Sequence, residues 1–600
     1  MHRLKNILLL ILILSLVPNF TTAETVKREF RSAWIATVAN IDWPKNKGTS
    51  ASAVAQQKSD LLDYIEAMEE MNLTTICFQV RSMCDAMYKS SYEPWSSYLT
   101  GTRGTDPGWD PLAFMVEECH KRGIEVYAWV NPYRWASSGS ESTWNTTFDT
   151  EVKNAGWLIT NGKFTVLNPG LEETRAHIVK VCREIITKYS VEGMIFDDYF
   201  YPTGGTSEKS DAPDYQLWKD SGTSLSIGDW RRENVDKMVS DVYNMVQEVR
   251  PELRFGIAPP GTAGQSASKY GLSIWPGGYD TQYSSLYSDP LSWMNKHIVD
   301  FMSPQIYWHN DHSMAPFGTI SNWWYGLAAH FKNCHCNISV NIYDLAQAMG
   351  YQEDLGNTQA HWDEHVTNVL QSRTYADDNG VKAFGSNFYS IQYFTGDYAT
   401  HGKYIAEKCF PTKALVPVVD WKTATPYSAV SNLTNNNGTL SWTAVTDGIK
   451  TIRYSVYAVP RSKTKDAAMS EDGISGEYLQ GVTYQPSFSL ASDKQSGYWY
   501  AVCVYDGYGN EHPAAIINYP EGNYAPKAEL ISPNDNAEVE DDITFTWKST
   551  DSKVTDFTLQ ISTSSSFDKI KYSTDVAASN TETTSAIVSA TRIGVGTFYW

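Results

Sequence analysis

The sequence has few cysteines, few basic residues and only one long apolar run. Its 8 cysteines lack the spacing of a disulfide framework, and a chain of 600 residues can bury a core without one, so we expect buried thiols. The 48 Lys and Arg are outnumbered by 68 Asp and Glu, which gives a net charge of −20. An acidic surface repels phosphate backbones, so nucleic acid is not an expected partner.

The apolar run lies at the N-terminus. It spans residues 7–17, follows a short basic segment and precedes the small residues Thr21-Thr22-Ala23. This order is that of a signal peptide, which we assign to residues 1–23, with an uncleaved anchor as the alternative. No comparable run follows, so the mature chain is expected to lack a transmembrane segment and to be secreted or periplasmic.

Aromatic residues, by contrast, are abundant, because 21 Trp, 37 Tyr and 21 Phe make up 13% of the chain. An excess of Trp and Tyr suits the recognition of flat, hydroxyl-rich ligands such as sugars. Large barrels and all-β modules also place many aromatic residues in their cores, and composition alone favours that second interpretation.

Between residues 30 and 410, short apolar runs alternate with amphipathic segments. The candidate strands are Phe30–Ala39, Thr74–Val80, Ile124–Val130, Gly193–Phe196, Leu253–Ala258, Val299–Ile306, Ile338–Ile342 and Val381–Ser386. The main candidate helices are Ala53–Met71, Pro111–Arg122, Glu172–Tyr189, Trp230–Val249 and Ser321–Phe331. Eight such units predict an α/β fold of the (β/α)8 TIM-barrel type. A doubly wound open sheet is the alternative, but no glycine-rich phosphate loop follows any strand.

The pattern changes after a linker at residues 411–420. Residues 421–522 contain short alternating strands separated by Asn-, Gly- and Ser-rich turns, which predicts an all-β, immunoglobulin-like sandwich similar to a fibronectin type III module. A second, incomplete sandwich is predicted over residues 523–600. Trp442 and Trp547 are expected in the cores of these modules. Neither module carries a ligand motif, so we expect them to space the barrel from a surface or partner at the cell envelope.

Catalytic groups of a barrel lie where its strands end. In this sequence carboxylates, amides and aromatic rings follow the predicted strands. No His, Cys and Asp set has metal-ligand spacing, and no Gly-x-Ser-x-Gly nucleophile motif occurs, so no metal or other cofactor is expected. Paired carboxyl groups flanked by rings and amides are what the cleavage of a glycosidic bond requires.

Several of these strand ends also carry a family resemblance. The segments are Phe30-Arg31-Ser32-Ala33-Trp34 with Asp42-Trp43-Pro44, Phe78-Gln79-Val80-Arg81, Glu93-Pro94-Trp95-Ser96, Ala128-Trp129-Val130-Asn131-Pro132-Tyr133-Arg134, Asp197-Asp198-Tyr199-Phe200-Tyr201-Pro202, Asp229-Trp230-Arg231-Arg232 and Pro304-Gln305-Ile306-Tyr307-Trp308. Over about residues 28–410 the chain resembles the glycosyl-hydrolase-like 10 family. The resemblance implies an exported bacterial (β/α)8 barrel with glycosidase activity. Some members are described as hydrolases of peptidoglycan glycan strands that lack stem peptides.

Asp197 and Asp198 are the leading catalytic candidates. Successive strand residues point to opposite faces, so we expect one carboxylate to face the barrel mouth and the other to hold a loop or an arginine. Related barrel hydrolases carry an Asp-Tyr-x-x-Tyr-Pro pattern that, aligned on Tyr201-Pro202, favours Asp197, although Asp198 stands where the pattern has its first Tyr. A carboxylate pair that only braces the loop is the alternative.

The second catalytic carboxyl group is left open. Asp85 and Asp344 are the nearest in kind, followed by Asp42 and Glu93, and Asp198 is itself a candidate. Each of these acids also suits a role in capping a loop or facing solvent.

A wider set of residues at the strand ends is predicted to bind substrate. Its members are Arg81, Asn131, Tyr133, Arg134, Tyr199, Tyr201, Gln305, Tyr307 and Trp308. Arg81 equally suits a structural ion pair, and each aromatic ring equally suits the core. Asp229 is predicted to cap the helix that follows it.

The sequence therefore predicts a secreted glycoside hydrolase that cleaves O-glycosidic bonds in a polysaccharide, with peptidoglycan glycan strands as one candidate. Asp197 would be nucleophile or base, and a second acid with a raised pKa would protonate the leaving oxygen. A carboxyl separation of about 5–5.5 Å would indicate retention of configuration, and about 6.5–9.5 Å inversion. The alternative is a non-catalytic glycan-binding protein of the cell envelope on a barrel scaffold.

Overall fold

The computed structural model describes residues 25–137, 144–280, 282–342, 359–448, 450–520, 528–549, 554, 556–579 and 583–600. The predicted signal peptide and the candidate acid Asp344 lie outside these ranges. Within them, no helix has both the length and the apolar character that a membrane crossing requires.

Eight parallel strands close into a barrel, which confirms the predicted fold class. In chain order the first twelve strands are β1 (Phe30–Ile35), β2 (Thr75–Arg81), β3 (Glu125–Val130), β4 (Arg134–Ser137), β5 (Leu158–Thr160), β6 (Phe164–Leu167), β7 (Gly193–Phe196), β8 (Arg254–Ile257), β9 (Phe301–Met302), β10 (Gln305–Ile306), β11 (His335–Asn341) and β12 (Phe384–Tyr389). Strands β4, β6 and β5 form a separate antiparallel sheet beside the mouth, and the other nine form the barrel. Strands β9 and β10 are two parts of one barrel strand, because both pair with β11. The break falls at Pro304, which has no N–H to donate to a ladder.

Each predicted apolar run overlaps one of the barrel strands. The last strand extends past the predicted end at Ser386 to Tyr389. The apolar pattern stops earlier because the barrel interior accepts Asn387, a polar side chain that is fully buried there.

Helices cover the outside of the barrel, close to the predicted positions. The long ones are Ala51–Glu70, Pro111–His120, Glu172–Lys188, Ile227–Val249, Phe317–Phe331, Gln359–Asp378 and Ala399–Cys409. Shorter ones are Ser97–Thr100, Thr147–Asn154, Tyr215–Asp220, Gln282–Ser285 and Pro290–Asn295, and the helix Ala590–Ile593 belongs to the C-terminal part. The predicted cap at Asp229 is wrong. Ser226 caps that helix by accepting the N–H of Asp229, which lies in the first turn.

The barrel strands alternate their side chains between two cores. Outward residues such as Met194 and Phe196 pack against the helices. Inward residues such as Trp34, Trp129 and Ile195 fill the interior. Because side chains alternate, the next inward position after Ile195 is residue 197, at the top of the interior.

The C-terminal part consists of small antiparallel sheets. Its strands are β13 (Thr434–Asn436), β14 (Thr439–Ser441), β15 (Arg453–Pro460), β16 (Met469–Ser470), β17 (Gly473–Ile474), β18 (Leu479–Thr483), β19 (Ser487–Ser489), β20 (Tyr498–Tyr505), β21 (Ala515–Ile517), β22 (Ala528–Ser532), β23 (Ile543–Ser549), β24 (Asp556–Ser562), β25 (Ile570–Ala577) and β26 (Thr584–Val588). The sheets are β13-β14-β19, β18-β15-β20-β21, β16-β17, β22-β23-β26 and β24-β25. Trp442 and Trp547 are buried in separate apolar clusters of this part, as core residues would be.

The sheet β18-β15-β20-β21 packs against the N-terminal end of the barrel. Glu125 of β3 forms ion pairs with Arg254 of β8 (3.2 Å) and with Arg453 of β15. Tyr457 and Trp499 belong to the same apolar cluster as the barrel interior. This sheet therefore forms part of the barrel floor, a contact that the sequence analysis did not predict.

Candidate active site

The two adjacent aspartates lie at the barrel mouth, where β7 ends. The backbone N–H of Asp197 donates to the carbonyl of Val130 (3.2 Å), so the ladder continues one residue past Phe196. The backbone N–H of Asp198 donates to Oδ1 of Asp197 (3.0 Å), and the two carboxyl groups influence each other's ionisation. The regular strand ends before Asp198, so the alternation from which opposite faces were predicted for the two side chains does not extend to it.

Burial has the largest effect on the pKa of both aspartates, since each is only 8% exposed. Burial raises the pKa of Asp197, although hydrogen bonds from Asp198 and the positive charge of Arg134 favour its ionised form. Burial, and after it the charge of Asp197, raises the pKa of Asp198 well above its ordinary value. Both carboxyl groups therefore ionise less readily than a free aspartate, and Asp198 holds its proton to the higher pH.

Arg134 and Gln305 both interact with Asp197. The guanidinium group of Arg134 lies over the ring of Tyr199, 4.4 Å from its centroid, and adds positive charge near Asp197. The amide nitrogen of Gln305 donates to the carbonyl of Ala258 (2.8 Å) and reaches Oδ1 of Asp197 at 3.4 Å. Both were predicted site residues, and the structure brings them to the pair.

Three half-buried tyrosines surround the carboxyl groups. Tyr307 and Tyr389 stack with ring centroids 5.7 Å apart. Desolvation and the charge of Asp197 are among the causes that raise the pKa of both residues. The charge of Asp197, followed by desolvation, raises the pKa of Tyr199. The site therefore combines neutral hydroxyl donors with ring faces that a sugar can contact.

Two residues at the barrel mouth were not predicted as site residues. Asn341 and Tyr389 end neighbouring strands and face each other in the register of β11 and β12. Oδ1 of Asn341 is buried and accepts no hydrogen bond from the residues described. The strand-end rule that identified Gln305 would also have found both, because each is the last residue of its strand.

The side chain of Arg81 is taken up by contacts within the protein, which do not support the predicted substrate contact. Its side chain is fully buried and forms a two-point ion pair with Glu93 (2.6 and 2.7 Å). Its remaining donor bonds reach the carbonyl groups of Asn131 (2.5 Å) and Pro132 (2.8 Å). Burial by itself raises the pKa of Glu93, but Arg81 and His177 outweigh it and lower this pKa to about 2. Glu93 is therefore unsuited to donate a proton near neutral pH.

The two other described candidates for a second acid are also engaged in the fold. Oδ1 of Asp85 accepts the backbone N–H groups of Ser82 (3.2 Å) and Met83 (2.8 Å), which makes it a loop cap. Asp42 accepts the N–H of Ala36 and the hydroxyl of Ser390, both at 2.6 Å, and burial raises its pKa to about 7. Both acids therefore serve the fold, and the contacts of Asp85 do not support its predicted catalytic role.

Three predicted substrate contacts are fully buried. Tyr133 packs against Phe200 and Tyr201 against Tyr287, with ring centroids 6.4 and 4.8 Å apart. Both tyrosines are inaccessible and anchor loops, which corrects the prediction that they line the cleft. Asn131 is equally inaccessible, and its amide nitrogen has no partner among the described residues. Trp308, by contrast, is half-buried at the mouth.

Comparison with known proteins decides the family. The family model described as "Glycosyl hydrolase-like 10" matches residues 29–354, more than half of the chain. The chain belongs to the glycosyl hydrolase-like 10 family.

Relatives with curated names support this membership. The chain is 36% identical over 315 residues to "Glycosyl hydrolase YngK" of Bacillus subtilis, a match that covers 51% of this chain and 59% of YngK. It is 32% identical over 323 residues to "Glycosyl hydrolase DigH" of Escherichia coli K12, covering 51% of this chain and 72% of DigH. Among solved structures, the PgaB (BpsB) glycoside hydrolase domain of Bordetella bronchiseptica aligns with a TM-score of 0.41 at 10% identity, over 63% of this chain and 99% of that domain. Within the matched glycosyl hydrolase-like 10 region lie both aspartates, Arg134 and Gln305.

Proposed function

We propose that this family member is a glycoside hydrolase that is secreted through its signal peptide and cleaves O-glycosidic bonds in a polysaccharide. The observation that carries the proposal is the pair Asp197 and Asp198 at the barrel mouth. In this proposal Asp198, whose pKa is raised the more, is the acid and Asp197 the anion, at the place where barrel enzymes carry out their chemistry.

The two aspartates take different roles in this proposal. Asp198 keeps a proton at neutral pH and donates it to the leaving glycosidic oxygen. Asp197 stays ionised and stabilises the positive charge that develops at the sugar ring in the transition state. Arg134 and Gln305 act as positioning residues for Asp197, because they contact its carboxylate or lie beside it.

Around the pair, Tyr199, Tyr307, Tyr389 and Trp308 offer ring faces for sugar stacking, and Asn341 offers a buried acceptor for a hydroxyl group. The family resemblance makes peptidoglycan glycan strands without stem peptides the first substrate to test.

We further propose that residues 28–410 form the catalytic unit and that residues 421–522 and 523–600 form fibronectin type III-like modules. The second module is the better candidate for contact with the envelope, because part of the first one covers the barrel floor.

The test is digestion of a panel of bacterial and plant glycans, scored as release of reducing ends. The wild type is compared with Asp197→Asn, Asp198→Asn and the control Asp63→Asn, which changes an exposed carboxylate on the helix Ala51–Glu70. We expect the first two variants to lose about 10²–10⁴-fold in rate and the control to match the wild type. Equal release by all four proteins would refute the site, and binding without release from any glycan would favour the glycan-binding alternative.

A further inference from the structure

The chain turns twice directly after the two aspartates. The backbone N–H of Phe200 donates to the carbonyl of Asp198 (3.0 Å), and that of Gly205 donates to the carbonyl of Pro202 (3.1 Å). These turns lead from the end of β7 to residues 203–207, which we call the clamp segment. The position of the clamp segment therefore bears directly on the position of the two carboxyl groups.

The side sheet β4-β6-β5 binds the clamp segment through one exposed side chain. Asn161 lies between β5 and β6, where its Oδ1 accepts the backbone N–H groups of Lys163 (3.1 Å) and Phe164 (2.9 Å). Its amide nitrogen donates to the carbonyl groups of Thr203 (2.9 Å) and Gly205 (3.1 Å). The oxygen of this amide thus shapes its own turn, and the nitrogen holds the clamp segment.

The same sheet carries Arg134, which begins β4 and pairs with Val166 of β6. The guanidinium group of Arg134 lies 4.4 Å from the ring centroid of Tyr199, the residue that follows the two aspartates. The side sheet therefore contacts the chain after β7 at two places, at Tyr199 and at the clamp segment. A shift of the clamp segment against this sheet would move the aspartates relative to Arg134.

A second element holds the clamp segment through a buried arginine. Arg231 of the helix Ile227–Val249 donates to the carbonyl groups of Thr206 (3.3 Å) and Ser207 (2.8 Å). It also forms a two-point ion pair with Asp214, and both side chains are completely buried. A planar guanidinium group has the donors for all of these contacts, and a lysine ammonium group does not. The sequence around Arg231 carries part of the family resemblance, yet it has no part in the chemistry proposed above.

Building on the glycosidase function proposed above, we infer that Asn161 and Arg231 are positioning residues for the reaction. Together they fix the clamp segment between the side sheet and the helix. The clamp segment in turn keeps the two aspartates in place against Arg134. Such a role matters for catalysis because a displacement of about 1 Å at the reacting groups is enough to lower the rate about 100-fold.

The first test opens the clamp from the protein surface with Asn161→Asp. This change keeps the Oδ1 that the turn requires, and it replaces the donating nitrogen with an oxygen that faces the carbonyl groups of Thr203 and Gly205. On a cleaved glycan we expect kcat to fall about 10–100-fold, with KM and the melting temperature near the wild-type values. The control Asn154→Asp makes the same charge change at an exposed residue of the preceding helix and should match the wild type.

Two results of this test would overturn the inference for Asn161. The first is a kcat equal to that of the control variant, because the clamp would then have no effect on the reaction. The second is a rise in KM with kcat unchanged, since that would assign Asn161 to substrate binding.

The second test compares two buried arginines, Arg231→Lys and Arg31→Lys. Arg31 is also completely buried and pairs with Glu29 (2.7 Å), but it lies at the start of β1, at the barrel end away from the mouth. We expect both variants to lose stability and only Arg231→Lys to lose kcat, measured at a temperature at which circular dichroism shows both proteins folded. An equal kcat in the two variants would show that Arg231 only stabilises the fold.

Hydrogen exchange at residues 197–207, followed by mass spectrometry, tests the clamp without a substrate. We expect faster exchange there in Asn161→Asp than in the wild type and in Asn154→Asp. Unchanged exchange would overturn the inference. If the wild type cleaves glycans and the Asn161 variant is equally active, only the inference fails. If the wild type cleaves no glycan, the proposed function fails and the positioning role fails with it.

Discussion

At the scale of residues, the proton on Asp198 ties catalysis to stability. A carboxyl group whose pKa is raised in the folded state stabilises the fold at low pH, and this stabilisation is lost as the pH rises through the folded-state pKa. Burial and the neighbouring charge of Asp197 raise the pKa of Asp198 in this way. The raised pKa of Asp198 therefore lowers the stability of the folded protein near neutral pH.

We expect Asp198→Asn to be more stable than the wild type at pH 7. The asparagine amide can donate to Asp197 as the protonated acid does, and it has no proton to lose in the unfolded state. The difference in unfolding midpoint between variant and wild type should grow from about pH 4 upward and vanish below it. Thermal melts at a series of pH values measure this, with Asp63→Asn as control. A variant that is less stable than the wild type at pH 7 would contradict the assigned protonation.

The residues that the sequence misassigned share one physical cause. Tyr133 and Tyr201 follow strand ends, but they lie in loops whose side chains fold back into the core. A strand-end position does not reveal where a loop side chain points. Gln305, Asn341 and Tyr389 lie within or at the end of a regular strand, so alternation alone predicts that they face the barrel interior. Arg81 ends a strand whose register against β3 shifts just before it, and its ion pair with Glu93 shows why it is structural.

At the scale of elements, the Arg81–Glu93 pair joins the parts that support the mouth. Arg81 ends β2, bonds the chain that follows β3, and pairs with Glu93, which also binds His177 on the helix Glu172–Lys188 (2.8 Å). The pair is completely buried, so each charge depends on the other. Lysine could not replace this arginine, because it lacks the planar two-point geometry.

We expect Glu93→Gln to destabilise the protein by about 3–5 kcal/mol, because it leaves the buried guanidinium group without a counter-charge. The lowered pKa of Glu93, about 2, has a second consequence. Its stabilising effect is present above the unfolded-state pKa of about 4.3 and is lost as the pH falls towards 2. Urea unfolding at pH 7, 5 and 3 measures both effects, with the exposed Glu117→Gln as control. A loss of stability no larger than in the control would show that the pair is not structural.

The elements themselves were predictable because apolar runs and amphipathic segments alternate regularly along residues 30–410. All eight barrel strands were located from these runs. The break between β9 and β10 and the side sheet β4-β6-β5 were not, since both depend on irregular backbone near the mouth. The backbone at Asp198 is also irregular, because the strand has ended and the N–H of Asp198 binds the side chain of Asp197. The sequence analysis did not predict this contact.

At the scale of the whole molecule, the barrel and the first group of C-terminal sheets share a core. Arg453 of β15 and Arg254 of β8 both neutralise Glu125, and Trp499 packs into the cluster that fills the barrel interior. The sequence indicated a change of pattern after residue 420 but not this contact, because residues distant in sequence form it.

We expect a chain that ends at residue 420 to aggregate or to melt at a much lower temperature, because it exposes the apolar floor and leaves a buried ion pair incomplete. A chain that ends at residue 520 keeps the sheet with β15 and β20 and should melt like the full chain. Size-exclusion chromatography and calorimetry of both chains decide the matter. Equal stability of the two truncated chains would show that the sheets are independent spacers.

The central claim is that Asp198 supplies a proton while Asp197 stays ionised, and the pH dependence of kcat/KM on a cleaved glycan tests it most directly. We predict that kcat/KM falls with rising pH only at values well above the ordinary carboxyl pKa of about 4. In Asp197→Asn, whatever activity remains should fall at a lower pH, because the charge that raises the pKa of Asp198 is gone. An Asp198→Asn variant with the wild-type rate and pH profile would contradict the account.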